Sequence, residues 1–411
     1  MSSSPILTLR ISEFRHLITG RFILILSFRM LAIVLGWWIY DLTRDPFAIG
    51  LIGLSEVVPA VSSALYAGHI IDHREKKKLL LLCNYAYVLL IGILTYTALF
   101  GGSRHDLSAT EISYVLYGIV FCTGFCRAFL GPLLPAMIPK IVGAKHLPAA
   151  ITVNQATFLS ASVLGHALGG FCIHWMGVSG TLCLVVALMV LASLFFWTLG
   201  SHPSSNIKGS LKISQSIREG LSYIYRTKEI LGALLLDMFA VLFGGAVALI
   251  PVFARDILKV GPEGFGILNA AADLGAAVVI ITLSFIPLRR NQGKILLVAV
   301  AGFGLCIIGF GLSKWYWLSF ALLMLSGMFD GISVVIRGTI VQLKTPEHIR
   351  GRVLSVNSIF IMSSNELGQF ESGLAARLLG VVRSVVVGGS LTLLIALTVG
   401  KTVPKLRRLE Y

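Results

Sequence analysis

The chain has 411 residues, of which 56% are hydrophobic and 13% charged, and a formal net charge of +15. A water-soluble domain is about a quarter charged, so this composition excludes an ordinary soluble fold and points to a bilayer as the solvent. The positive charge does not point to a nucleic-acid partner, because the basic residues gather in short loops between apolar runs, as membrane orientation demands.

The first residues, MSSSPILTLRISEFRHL, are too polar for the apolar core of a secretory signal. Twelve runs then reach the ~20 mostly apolar residues that a membrane-crossing helix needs: 20–41, 46–71, 79–101, 111–139, 148–173, 176–199, 230–254, 262–288, 294–313, 316–342, 353–380 and 383–401. The fold class expected is an all-α membrane protein of twelve transmembrane helices in two pseudo-symmetric six-helix bundles. Of the 34 Lys and Arg residues, 24 lie in one set of alternate loops and 7 in the other, while Arg29, Arg127 and Arg337 fall inside spans. The positive-inside rule then places both termini in the cytoplasm.

The longest segment outside the spans divides them six and six. The domains expected are an N-terminal bundle over 1–199, a cytoplasmic linker over 200–229 and a C-terminal bundle over 230–411. The linker opens with the flexible polar stretch SHPSSNIKGS, and Ile213, Ile217, Leu221 and Ile224 then recur at helical spacing. That pattern fits an amphipathic helix on the membrane surface or a solvated one.

A shift of 203 residues lays GFCRAFLGPLLPAMIP (124–139) over GMFDGISVVIRGTIVQ (327–342), with Gly124 on Gly327. Farther on, Val153, Asn154, Ser160 and Gly165 fall on Val356, Asn357, Ser363 and Gly368. Parallel halves of six helices are a transporter architecture, with substrate held between the halves near the midplane.

Charge inside a span is costly, so it faces a cavity or pairs. The candidates are Arg29, Glu56, Arg127, Asp237, Asp273, Asp330, Arg337, Glu366 and Glu371. Asp330 and Arg337 are seven apart, hence on one helix face about 10 Å apart along the axis. Under the repeat, Arg127 falls on Asp330, which would put them on opposite walls of one cavity. Asp330 is then either a carboxylate whose proton is exchanged during transport, tuned by Arg127 or Arg337, or part of a static ion pair that fixes register. Aligning Lys78 with Lys294 brings Glu56 and Asp273 within one residue of equivalence. Each is a candidate proton carrier or cationic-cargo ligand, or else an interhelical hydrogen-bonding group, and Asp237 is a further candidate. Arg29 is expected to pair with Glu56. Glu366 and Glu371 lie among Asn365 and Gln369, which fits a structural role.

Trp37, Trp38 and Tyr40 fit an interfacial belt or the lining of an apolar cargo site. The cysteines at 83, 122, 126, 172, 183 and 306 read as small buried hydrophobes, and His166 and His174 as core histidines. No GxxxxGK[ST], HExxH or cysteine metal quartet occurs, so neither an enzyme nor a cofactor is expected.

Between spans two and three the sequence is GHIIDHREKKKLL. Gly68 suits close helix packing, Asp72 stands at a helix end where it can accept hydrogen bonds, and Lys76, Lys77 and Lys78 suit a cytoplasmic loop. With this stretch the chain resembles the major facilitator superfamily over essentially its full length. The resemblance implies a conformational latch formed by Gly68, Asp72, His73, Lys76 and Lys77, with His73 where the family has Arg, and it associates the position of Arg127 with proton coupling. The stretches RMLAIVLGWWIYDLTRDPFAIGLIGLSEVVPA (29–60), RAFLGPLLPAMIP (127–139) and VQLKTPEHIRGRVLSVNSIF (341–360) are similar to the drug:proton antiporter branch that contains the enterobactin exporter and macrolide-efflux proteins.

That resemblance implies a monomeric protein of the bacterial inner membrane. It would use the proton gradient to export a hydrophobic or amphipathic small molecule, a drug or siderophore, by alternating access. Siderophore uptake and lysolipid movement on the same fold stay open, as does a non-transporting membrane receptor or sensor, although no segment is long enough for a separate soluble module.

Overall fold

The computed structural model describes residues 8–104, 107–201, 213–286, 288, 290–407 and 409–410. Within these, the side chains of Leu65, His69, Asp72, 102–104, 213–217, His348 and Ser355 are not described. No strand occurs among the described residues.

The first helix, α1, covers Ser12–Thr43 and ends at Arg44, whose left-handed backbone (φ 53°) lets its N–H donate to the Tyr40 carbonyl. Asp45 then accepts a hydrogen bond from the Phe47 N–H at 2.9 Å and starts α2, Pro46–His73, with proline in the first turn, where its missing N–H costs nothing. After α3, Lys76–Arg104, comes a continuous helical stretch of 89 residues, Ala109–Trp197. A reciprocal Ser108–Glu111 capping box starts it. Gly143 (φ 70°, ψ 169°) and Gly177 (φ 70°, ψ −178°) break it into α4 (109–142), α5 (144–176) and α6 (178–197). Only glycine adopts that backbone without strain, so these turns occupy one residue each where the sequence suggested longer loops.

The linker helix α7 is Ile213–Arg226, and α8, Lys228–Phe243, follows after Thr227. Span seven does not continue as one rod. At Gly244–Gly245 it breaks into a 3-10 turn, Ala246–Leu249, and then passes through Ile250–Val252 into a π turn, Phe253–Ile257. The remaining helices are α9, Pro262–Phe285; α10, Gln292–Leu312; α11, Tyr316–Lys344; α12, Glu347–Leu379; α13, Val381–Thr402; and α14, Pro404–Arg407.

Among the described residues, nine helical stretches are long and apolar enough to cross a membrane, and one of them is the 89-residue stretch that holds three spans. α12 is not among the nine, and its sequence is more polar, with Asn357, Asn365, Glu366, Gln369 and Glu371, yet its 33 residues reach ~50 Å. The fold is therefore the all-α, twelve-span one, with small residues where helices cross. With lipid as solvent, association rests on such close packing and on interhelical polar contacts.

The chain divides into two compact units. Unit 1 holds 1–44, 55–209 and 261–266; unit 2 holds 45–54, 210–260 and 267–411. In unit 1, α1 packs along α5, where Gly165 and Gly169 face Leu26, Arg29 and Ile33. In unit 2, Leu234, Leu296, Ile336, Ile340, Val341 and Val353 form a buried core joining α8, α10, α11 and α12. The linker helix adds Ile224 to that core.

Candidate functional site

In unit 1, α2 crosses α4 at Gly124. A Cβ there would collide with the Pro59 ring and the Glu56 carbonyl, so glycine sets the approach of the helices. That approach brings Glu56 and Arg127 into an ion pair, with Glu56 14% exposed and Arg127 42%. Pro59 sits inside α2, and its carbonyl accepts hydrogen bonds from the Ser62 and Ser63 hydroxyls.

In unit 2, α9 crosses α11 in the same way. Gly327 faces the Ala272 backbone, Gly331 faces Ala276, and Gly275 faces the Met324 carbonyl. Gly327 is the repeat counterpart of Gly124, and Ala272 lies 216 residues after Glu56, the shift that superposes Lys294 on Lys78. At this crossing the charges differ. Asp273 and Asp330 are both half-buried, and each carboxylate lies within electrostatic reach of the other. Where unit 1 sets an acid against a base, unit 2 sets an acid against an acid.

A third charged contact joins α8 to α11. Asp237 and Arg337 form an ion pair with each side chain 8% exposed, and the Arg337 Nε donates to the Ser333 carbonyl at 3.3 Å. Arg337 therefore pairs with span seven rather than serving Asp330 on its own helix. Arg29 also departs from expectation: its Nε donates to the Ser162 hydroxyl at 3.1 Å, its guanidinium lies 5.5 Å from the Phe158 ring centre, and Arg127 takes Glu56. The reason is the α1–α5 packing at Gly165, which turns Arg29 toward α5. In α12, Gln369 donates to Glu366 at 2.9 Å, while Asn365 bonds the Ile361 carbonyl.

Around the loop between α2 and α3, no described atom lies within 4 Å of a Cβ built on Gly68, and Tyr66 beside it is exposed. Among the described residues, nothing packs closely on Gly68, contrary to expectation. The Asp72 side chain lies outside the described residues, and His73 is exposed. The lysines are engaged. Lys76 is buried and donates to the Ile71 carbonyl at 3.2 Å, Lys77 donates to the Leu199 carbonyl after α6, and Lys78 pairs with Glu75 at 2.8 Å. The Ser201 hydroxyl donates to Glu75 at 2.7 Å. Lys78 first, then Ser201, hold the Glu75 carboxyl below its ordinary pKa.

Trp38 and Tyr40 are buried, and Trp37 packs on Phe265 with ring centres 5.8 Å apart, so they do not form an exposed belt. His174, read as a core histidine, is half-exposed and lies 3.1 Å from Glu263. Cys122 and Cys183 are exposed, while Cys83, Cys172 and Cys306 are buried. Arg21, which sequence reasoning passed over as a residue of the basic N-terminus, is buried with its Nε unbonded among the described residues. No group of three metal-ligating side chains occurs among the described residues.

A family model described as transmembrane secretion effector matches residues 3–410. The chain is 24% identical over 404 residues to the enterobactin exporter EntS of Citrobacter koseri, covering 96% of this chain and 92% of that protein. In structure it is similar to a POT family transporter in complex with 5-aminolevulinic acid, with a TM-score of 0.78 at 10% identity over 96% of each chain. It is also similar to a D-xylose-proton symporter, with a TM-score of 0.71 at 14% identity over 99% of this chain and 100% of that one. These likenesses carry the fold alone.

Proposed function

The chain belongs to the transmembrane secretion effector family of the major facilitator superfamily, and from that premise we propose that it is a proton-coupled exporter of a hydrophobic or amphipathic small molecule. It is a multi-pass membrane transporter and not an enzyme. The observation that supports coupling is the contrast between equivalent helix crossings, Glu56 with Arg127 in one and Asp273 with Asp330 in the other.

An acid–base pair is already charge-compensated. Two neighbouring carboxylates in a low-dielectric setting repel, and the pair gains by holding one proton or cation in common. Asp273 and Asp330 are therefore the groups that take a proton from the outside and release it inward. Asp237–Arg337 and Glu56–Arg127 are compensated pairs that keep helix register during alternating access.

Outward direction and a siderophore-like or drug-like cargo rest on the likeness to the enterobactin exporter. The same reading places the protein in a bacterial inner membrane as a monomer with both termini cytoplasmic and no nucleic-acid partner. The basic bias of alternate loops supports that orientation. Gly68, Asp72, His73, Lys76 and Lys77 act as the cytoplasmic latch in this scheme, with Lys76 and Lys77 contributing through the carbonyls they hold.

The test uses purified protein in liposomes with an imposed pH gradient and an internal pH dye, and a panel of siderophores, cationic drugs and lysolipids. Cargo-dependent proton flux that is lost in Asp330→Asn and Asp273→Asn, with cargo binding retained, is the expected result. Cargo movement without proton flux, unchanged by either substitution, would sink the coupling.

A further inference from the structure

The linker helix α7 has two unlike faces. Its inner face is fastened to unit 2: Ile224 is buried in the core, Gly220 lies against the Arg352 backbone, Glu219 pairs with Arg352, and the Tyr223 hydroxyl donates to the Lys344 carbonyl. The opposite face is solvent-open in this chain. Leu221 and Ser222 lie three and four residues after Arg218, and Tyr225 lies four and three residues after them, which makes the four one stripe, and Tyr225 is 77% exposed. Arg226 and Lys228, both exposed, flank it.

The depth of this stripe follows from chain continuity. Thr227 alone separates α7 from α8, and α8 begins a membrane span, so α7 lies at the level where that span leaves the hydrocarbon. A face that mixes an aliphatic side chain, a tyrosine and arginines suits the headgroup region, where aromatic rings sit at the boundary and cations meet lipid phosphate. We infer that the outer face of α7 docks on anionic lipid headgroups, with Leu221 and Tyr225 entering the interface and Arg218 and Arg226 bonding phosphate. A neutral bilayer would satisfy only the two apolar residues, so the charge complementarity selects an anionic surface.

The test places a spin label at position 225 through Tyr225→Cys, in full-length protein whose exposed Cys122 and Cys183 are changed to alanine. The protein is reconstituted in phosphatidylcholine vesicles with and without phosphatidylglycerol, and the label's accessibility to oxygen and to a water-soluble nickel chelate is compared. The expected result is a shift of the label toward the oxygen-rich phase when phosphatidylglycerol is present. Arg218→Gln and Arg226→Gln should each raise the phosphatidylglycerol needed by about fivefold. A second label at Ser222→Cys guards against a local effect at one site. A label equally water-accessible in both vesicles, or one shielded only as protein density rises, would overturn the inference, the latter by showing that a second copy covers the face.

Discussion

Asp237 on α8 and Arg337 on α11 are joined in a buried ion pair, two helical turns along α11 from the acidic crossing at Asp330. One helix thus carries, on the same face, an arginine paired with an acid and an acid set against a second acid, Asp273.

Removing one member of the buried pair strands the other. Asp237→Asn alone, or Arg337→Met alone, is expected to destabilise by about 3–5 kcal/mol, whereas the double change should recover much of that loss. Thermal unfolding of the purified protein in detergent checks it. Equal and additive losses would show that the two residues do not act as a pair.

Giving unit 2 the chemistry of unit 1 separates folding from coupling. Asp330→Lys places a cation against Asp273, as Arg127 stands against Glu56. The variant should unfold at or above the parent's temperature and show no cargo-dependent proton flux in liposomes. Retained flux would move the proton site to another acid.

The crossings depend on glycine. Gly327→Val is expected to force α11 off Ala272 and to cost about 1–3 kcal/mol by overpacking, read as a lower midpoint in thermal unfolding. Gly338→Val on the same helix is the control, because a Cβ there meets nothing within 4 Å. Equal effects at the two positions would mean that valine's helix propensity, rather than contact, is being measured.

Acid should release the loop between α2 and α3. The folded pKa of Glu75 is lowered by Lys78 and Ser201, so its contribution is complete above the ordinary carboxylate range near about pH 4 and is lost as pH falls through the lower folded value. Hydrogen exchange over 72–78, corrected for intrinsic rates, should rise on acidification through that window in the parent. In Glu75→Gln it should already be high and show no such step.

The twelve spans and the repeat were legible because hydropathy and small residues are local signals. Gly124 and Gly327 stand out in the sequence, and each marks a helix crossing in the structure. The partners of the charges were not legible. Adjacency of spans one and two points Arg29 to Glu56, but the Gly165 contact turns it to α5, and Arg127 arrives from a helix two spans farther on. Nothing near Asp237 in sequence signals that Arg337, one hundred residues farther on, meets it. The break in span seven at Gly244–Gly245 leaves no mark on hydropathy, since the residues on both sides are equally apolar.

Gly143 leaves the connection between α4 and α5 without slack. Arg127 lies 16 residues before it, ~24 Å along the helix, and Ser162, the partner of Arg29, lies on the far limb. The two helices form a bent lever with its pivot at Gly143, and Pro132, Pro135 and Pro139 interrupt the hydrogen-bond ladder of the arm that carries Arg127. A tilt of α4 on rupture of the Glu56 pair would be absorbed at those prolines and at the Gly143 torsions before any of it reached Arg29 on α1. A side chain at that pivot would stiffen the lever without touching any charge.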